Sequence, residues 1–262
     1  MSEVLSSAPR AARSSTALCG LLLAACSSVG LTTQVGYTYT SIGGNLALDD
    51  GTGSSNGSIE QGIGSAFGLG DGRGSPYLRA QADLGGPVLT GSVFWLRETG
   101  SGELGQAFGG LTQGDIVETS LDLAVAKLDA VYDFEVGPLK IAPGVAFDVF
   151  AIDFSARDAN LGGREEIDDV VFVPMPFVRL EGGLGPVTAI GELGYLDVSN
   201  LGDTGGRFLD CEARLEYRLF SALHLFAGYR FLDLDGTGTT GSEDYALDLQ
   251  LRGWTIGGGV RF

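Results

Sequence analysis

Trp254-Thr255-Ile256-Gly257-Gly258-Gly259-Val260-Arg261-Phe262 ends the chain. In extended backbone, successive side chains point to opposite faces. Trp254, Ile256, Val260 and Phe262 therefore share one face, and Thr255 and Arg261 take the other. An apolar face against a small or polar one, finishing on an aromatic carboxy-terminus, suits a strand with hydrocarbon on one side and an enclosed polar space on the other. The expected fold is all-β: a closed antiparallel up-and-down transmembrane β-barrel.

The same alternation recurs upstream. In 206–220, Leu209, Cys211, Ala213, Leu215, Tyr217 and Leu219 oppose Asp210, Glu212, Arg214, Glu216 and Arg218. Around 124–136, Ala124, Ala126, Leu128, Ala130, Tyr132, Phe134 and Val136 oppose Lys127, Asp129, Asp133 and Glu135. In 75–85, Leu78, Ala80, Ala82 and Leu84 oppose Tyr77, Arg79, Gln81 and Asp83, and near the start Val35, Tyr37 and Tyr39 oppose Gln34, Gly36 and Thr38.

Tight reversals are expected at Gly86-Pro87, Gly137-Pro138, Gly185-Pro186 and Ser221-Ala222, since Pro presets φ and Gly relieves the backbone. Longer polar connections fall at 42–74, 100–116, 156–168, 200–205 and 236–243. Short turns alternating with long loops is the asymmetry of barrels with periplasmic turns and external loops. The segments between them give ten strands: 31–41, 75–85, 88–99, 117–136, 139–155, 169–184, 187–199, 206–220, 223–235 and 244–262. Eight would result if one pair is misread.

Two places break the pattern. Tyr245, Leu247, Leu249 and Leu251 have the opposite parity to Trp254 and Ile256, and a bulge near Arg252-Gly253 would reconcile them. Pro174 and Pro176 lack a ladder donor, so weakened or bulged pairing is expected there. The Gly-rich stretch within 42–74 reads as a flexible external loop, and its 68–74 segment has no strand–helix context for a phosphate loop.

Residues 1–26 read as an export signal and 27–262 as a single barrel domain. Arg10 and Arg13 precede a short apolar core, Ser14 to Ala25, too short to span a bilayer. Leu23-Ala24-Ala25-Cys26 has the form of a lipobox, which makes Cys26 a candidate for lipidation. Cleavage near Ser28-Val29-Gly30 is the alternative. Beyond the signal the one cysteine is Cys211, so no disulfide is expected within the mature chain. The net charge of −17 argues against a nucleic-acid partner. Many acids lie in the outer loops, including Asp49, Asp50, Asp158, Glu165, Glu166, Asp168, Asp169, Asp203, Glu243 and Asp244. They read as a solvated rim.

Charges of both signs fall on the inward positions. Arg79, Lys127, Lys140, Arg179, Arg214, Arg218, Arg230 and Arg261 face Asp83, Asp129, Asp133, Glu135, Asp148, Glu181, Glu192, Asp210, Glu212 and Glu216. Buried carboxylates need partners, so these groups are expected to form a charge network that fills the lumen. A narrow ion or solute path, or binding of one polar ligand, are the other readings.

From Leu121 onward the chain carries Phe147-Asp148-Val149-Phe150, Val173-Pro174-Met175-Pro176, Glu212-Ala213-Arg214-Leu215-Glu216-Tyr217 and Gly228-Tyr229-Arg230-Phe231-Leu232-Asp233-Leu234-Asp235, before the Phe-ended strand. These segments resemble a family of small uncharacterised outer-membrane β-barrel proteins of Gram-negative bacteria. The resemblance covers about 140 residues, Leu121 to Phe262. It implies an outer-membrane location and carries no catalytic residues.

The expected role is non-enzymatic: a structural envelope protein or a very narrow channel. The expected partners are outer-membrane lipid and, through the terminal strand, the outer-membrane assembly machinery, with a monomeric state. The rival is a membrane-embedded hydrolase or lipid-modifying enzyme. The only histidine, His224, follows the Ser221-Ala222 turn at the periplasmic end, and a nucleophile at Ser221 would need Glu216 or Asp210 around it. A third reading has the acidic outer loops bind a cation or partner. Asp233-Leu234-Asp235-Gly236 is a fragment of a calcium loop without the remaining ligand spacing. Neither a cofactor nor a metal-ligand set is expected.

Overall fold

A computed structural model describes residues 29–49, 60–160, 162–198, 205–240 and 243–262. The export signal with Cys26, and Asp50 and Asp203 of the outer loops, lie outside the described residues. The elements in chain order are β1 (Gly30–Leu48), β2 (Gln61–Gly62), α1 (Ile63–Phe67), β3 (Arg73–Asp83), β4 (Pro87–Glu103), β5 (Ile116–Tyr132), β6 (Phe134–Val136), β7 (Leu139–Asp158), β8 (Arg164–Leu184), β9 (Val187–Asp197), β10 (Gly206–Arg218), β11 (Leu223–Thr240) and β12 (Glu243–Arg261).

Each wall strand pairs antiparallel with its neighbours, and β12 pairs with β1 from Thr32↔Arg261 to Leu48↔Tyr245, closing the ring. β5 and β6 form one wall strand, because both meet β7 in a single register. The break between them falls opposite Pro143, which has no N–H to give. Counted this way, ten strands make the wall among the described residues. All ten expected strands are present. The tight reversals hold Gly85, Gly137 and Gly185 at φ of 80°, 63° and 64° in the left-handed region, which glycine adopts without a Cβ clash.

Below mid-height, near the short turns and both described chain ends, the wall is apolar outside. Ile256, Leu128, Val35 and Leu215 are all more than half exposed. Outward aromatics bound this belt. Tyr39, Trp95 and Trp254 lie above it, with Tyr132, Phe134, Phe220 and Phe262 near the turns. Amphipathic rings collect at the two membrane interfaces in this way.

Above the belt the wall inverts without changing register. On β12, Tyr245, Leu247, Leu249 and Leu251 are buried inside, while Asp248, Gln250 and Arg252 point outward. On β5, Leu121 and Leu123 turn in and Asp122 turns out. On β11, Leu232 and Leu234 turn in and Asp233 turns out. The parity switch in the last strand is therefore not a bulge. Its pairing with β1 and with β11 is continuous through Arg252 and Gly253. Crossing a bilayer takes only about 9–11 residues, whereas β8 has 21 and β7 has 20. The excess rises into water, where an apolar interior and polar exterior are the stable arrangement.

This upper interior is a packed core. Phe67 of α1, Phe108 of the β4–β5 connection and Phe154 of β7 meet edge to face at centroid distances of 5.1, 5.2 and 5.8 Å. Such pairs add about 0.5–1.5 kcal/mol each beyond burial. Gln61 ties the two connections together, donating to the Gln106 carbonyl at 3.1 Å and accepting from the Gln106 N–H at 3.0 Å. The 60–72 portion of the first outer loop is thus folded over the barrel mouth, not the flexible loop its glycines suggest.

Pro174 and Pro176 affect only one side of β8. The β7–β8 ladder runs unbroken past both. The β8–β9 ladder stops at Phe177↔Gly194, next to Pro176.

Candidate functional site: a charged lumen beneath an apolar cap

Closing the ring brings inward positions of distant strands together at bilayer height. Five cations and five carboxylates are buried there: Arg79, Lys127, Arg179, Arg214 and Arg230 with Asp129, Asp148, Glu192, Asp210 and Glu212. Glu192 of β9 is the hub. It accepts from Arg79 of β3, lies 3.2 Å from Lys127 Nζ of β5 and 3.7 Å from Arg214 of β10. Lys127 also reaches Asp210 at 2.7 Å, and its ammonium stands 4.3 Å from the centroid of the Phe177 ring. A desolvated cation over a ring gains about 2 kcal/mol.

Arg230 grips Asp210 with two hydrogen bonds, at 2.9 and 3.1 Å, and reaches Asp148 at 3.2 Å. Arg214 pairs with Glu212 at 2.6 Å and Glu216 at 3.2 Å. Arg179 donates to Thr90 at 3.2 Å and to Asp133 at 3.4 Å, lower in the barrel. Asp129 lies within the same set, but neither of its oxygens has a hydrogen-bond partner among the described residues.

Three expected members sit elsewhere. Asp83 is exposed in the first turn and accepts from the Gly85 N–H at 2.9 Å. Glu135 is exposed on β6, past the Pro143 break. Arg218 is exposed at the end of β10 and donates to the Gly185 carbonyl at 3.3 Å. Each has inward parity but lies too near the periplasmic rim to be enclosed. Lys140 and Glu181 are half-exposed at that rim, 3.9 Å apart, and exposed Arg261 donates to Thr32 at 3.3 Å.

His224 is buried at the periplasmic end of the lumen. Its Nε2 lies 2.9 Å from the side-chain nitrogen of Gln34, which also donates to Glu216 at 2.7 Å. Gln34 has the inward parity that could have marked it. Ser221 is exposed in its turn, and Asp210 is engaged by Lys127 and Arg230. The ring of His224 needs Gly259 opposite, where a Cβ would come within 2.6 Å of its Nε2. Phe226 similarly needs Gly257, where a Cβ would stand 2.7 Å from the ring. The triple-glycine run of the last strand is where the lumen admits these two rings. Among the described residues no group of three His, Cys, Asp or Glu is placed to hold a metal ion, and no helix is long and apolar enough to cross a membrane.

On the terminal strand, Trp254 and Ile256 are about two-thirds exposed (67% and 68%), and Phe262 is 77% exposed. Trp254 packs on Tyr229 of β11 at a centroid distance of 4.8 Å. Val260 is half-buried in the ladder between Thr33 and Leu223.

Among solved structures, the outer membrane protease OmpT from Escherichia coli superposes with a TM-score of 0.54 at 8% identity, covering 89% of this chain and 96% of that one. The chain is a transmembrane β-barrel of the outer membrane. At that identity the likeness to OmpT shows the fold alone. Two other outer-membrane barrels align with lower TM-scores. Ail, the attachment invasion locus protein of Yersinia pestis, gives 0.37 at 8% identity over 89% of this chain and 98% of that one. Neisserial surface protein A gives 0.36 at 14% identity over 88% and 97%. No protein-family model and no curated protein matches the sequence.

Proposed function

We propose that this outer-membrane barrel is a sealed structural protein of the envelope rather than a pore. The observation that carries this reading is its double closure. The bilayer-height lumen is filled by charged side chains that are 0–8% exposed, nine of the ten ion-paired. The space above it is filled by the aromatic and aliphatic core. The cavity beside Glu212 and Tyr77 measures about 20 Å³, room for about one water molecule. That is far from a continuous path.

The test is single-channel recording of the purified protein in planar bilayers. Silence across the applied voltage range is the expected result, and reproducible conductance steps would refute sealing. We also propose a monomeric state, assembly through the terminal strand, and kinship with the small Gram-negative barrels that the segments from Leu121 onward resemble. Cys26 is proposed as an acylation site. Wild type should incorporate a palmitate analogue and Cys26→Ala should not; an unlabelled wild type rules lipidation out.

A further inference from the structure

Each girdle tryptophan has an outward arginine two residues above it: Arg97 above Trp95 on β4, and Arg252 above Trp254 on β12. Their surroundings differ. Arg97 is ion-paired with Asp122. Arg252 is exposed and has no ion pair among the described residues. Its guanidinium stands 5.5 Å from the centroid of the Phe231 ring and donates to Gln250 at 2.6 Å. A guanidinium has five N–H donors, so most of those on Arg252 remain for a ligand.

Strand register orders the outward side chains around Arg252 into layers. Tyr229, Trp254 and Tyr39 are direct partners across β11, β12 and β1. Beneath them the layers are apolar, ending in Leu225, Gly258 and Val35, where Gly258 leaves a dent between two exposed side chains. Above the aromatics come Phe231, Arg252 and Ser41, and one layer higher Asp233, Gln250 and Gly43. A Cβ on Gly43 would meet nothing within 4 Å, so the wall is open beside Gln250. The next layer holds Asp235, Asp248 and Asn45. Successive layers are two residues apart, about 7 Å along a strand. Arg207 pairs with Asp233 and Asp235 at 3.9 and 4.0 Å, while Asp248 accepts from Asn45 at 3.4 Å. Three carboxylates thus face one cation. Partial burial, and then Asp233 and Asp235, hold the Asp248 carboxyl above its usual range.

We propose that this face of β11, β12 and β1 binds the headgroup of one zwitterionic phospholipid of the outer leaflet, its phosphate on Arg252 and its ammonium toward Asp233 and Asp248. The layers follow the order of the lipid itself. Apolar wall meets the tails, the aromatic row meets the glycerol level, the cation meets the phosphate, and the acids above meet the amine. An anionic phospholipid has no amine and sets its charge against those acids. An uncharged lipid leaves Arg252 without a partner. At Trp95 the same height offers no free cation, because Asp122 neutralises Arg97. The site is independent of whether the lumen conducts.

The test uses the chain's two tryptophans as reporters. Trp95→Phe leaves Trp254 emitting, and Trp254→Phe leaves Trp95. Each barrel is folded into vesicles of an uncharged galactolipid, with folding checked by heat-modifiable gel mobility. A small fraction of lipid brominated near the top of one tail is then added: phosphatidylethanolamine, phosphatidylglycerol or the galactolipid. Bromine quenches a tryptophan that it touches, so quenching reports the local share of each lipid. At Trp254, phosphatidylethanolamine should be enriched about fivefold over the galactolipid, equivalent to about 1 kcal/mol for one basic side chain at a membrane surface, and should exceed phosphatidylglycerol. At Trp95 no such enrichment is expected. Arg252→Gln should abolish the enrichment, and Asp233→Asn with Asp248→Asn should abolish the preference over phosphatidylglycerol. Equal quenching of Trp254 by all three lipids would overturn the proposal, as would enrichment that survives Arg252→Gln or that is as large at Trp95. Stronger quenching by phosphatidylglycerol would overturn the zwitterionic assignment.

Discussion

Arg230→Met is the substitution that should reveal most about the lumen. Arg230 is the ion-pair partner of Asp148, a carboxylate that is fully buried. The separation is 3.2 Å, and at an effective dielectric of about 20 the attraction is about 5 kcal/mol. Methionine keeps the volume of the stem but leaves Asp148 enclosed without a cation. It also leaves Asp210 with Lys127 alone. Breaking a buried pair from one side costs about 3–5 kcal/mol, and that is the expected loss. Removing both charges is different, because an apolar replacement of a buried pair is often neutral. Arg230→Met with Asp148→Leu should therefore recover most of the loss. The assay is urea unfolding in phospholipid vesicles, followed by tryptophan emission and by the gel-mobility difference between folded and heated barrel. Equal stability of the single and double variants, or a single-variant loss below about 1 kcal/mol, would refute the view that these charges are enclosed and mutually dependent.

Arg214→Ala should lower stability less than Arg230→Met in the same assay, because Glu192 keeps Arg79 and Lys127 and Glu216 keeps Gln34. Gly257→Val places a Cβ 2.2 Å from the Val35 carbonyl oxygen and 2.7 Å from the Phe226 ring. Overpacking of this kind costs about 1–3 kcal/mol or more, read as a reduced yield of folded barrel. Phe108→Ala removes one ring of the cap triad, a loss of about 3–5 kcal/mol. It should speed proteolysis of the β4–β5 connection while leaving the membrane-spanning part resistant. Unchanged cleavage would mean that the cap is not held by this cluster.

The strand count, the turns and the two faces of each strand were legible in the sequence because all three are local. A period of two is fixed by extended backbone, and the Gly-Pro reversals by φ. That is why ten strands, the outward Trp254 and Ile256, and the inward parity of Glu192, Asp210 and Arg214 could be read from alternation. Parity gives a face but not a height. Asp83, Glu135 and Arg218 have the parity of their strands' lumen residues and still end at the open rim. Tyr245, Leu247, Leu249 and Leu251 suggested a bulge because apolar was equated with lipid-facing. The tertiary structure alone set where lipid ends. Above that level the solvent outside changes from hydrocarbon to water, so the same register carries apolar side chains inward. It also decided which charges meet. Lys127 and Glu192 are 65 residues apart, and Gln34 and His224 are 190 apart. Only closure of the ring brings such positions to hydrogen-bond distance.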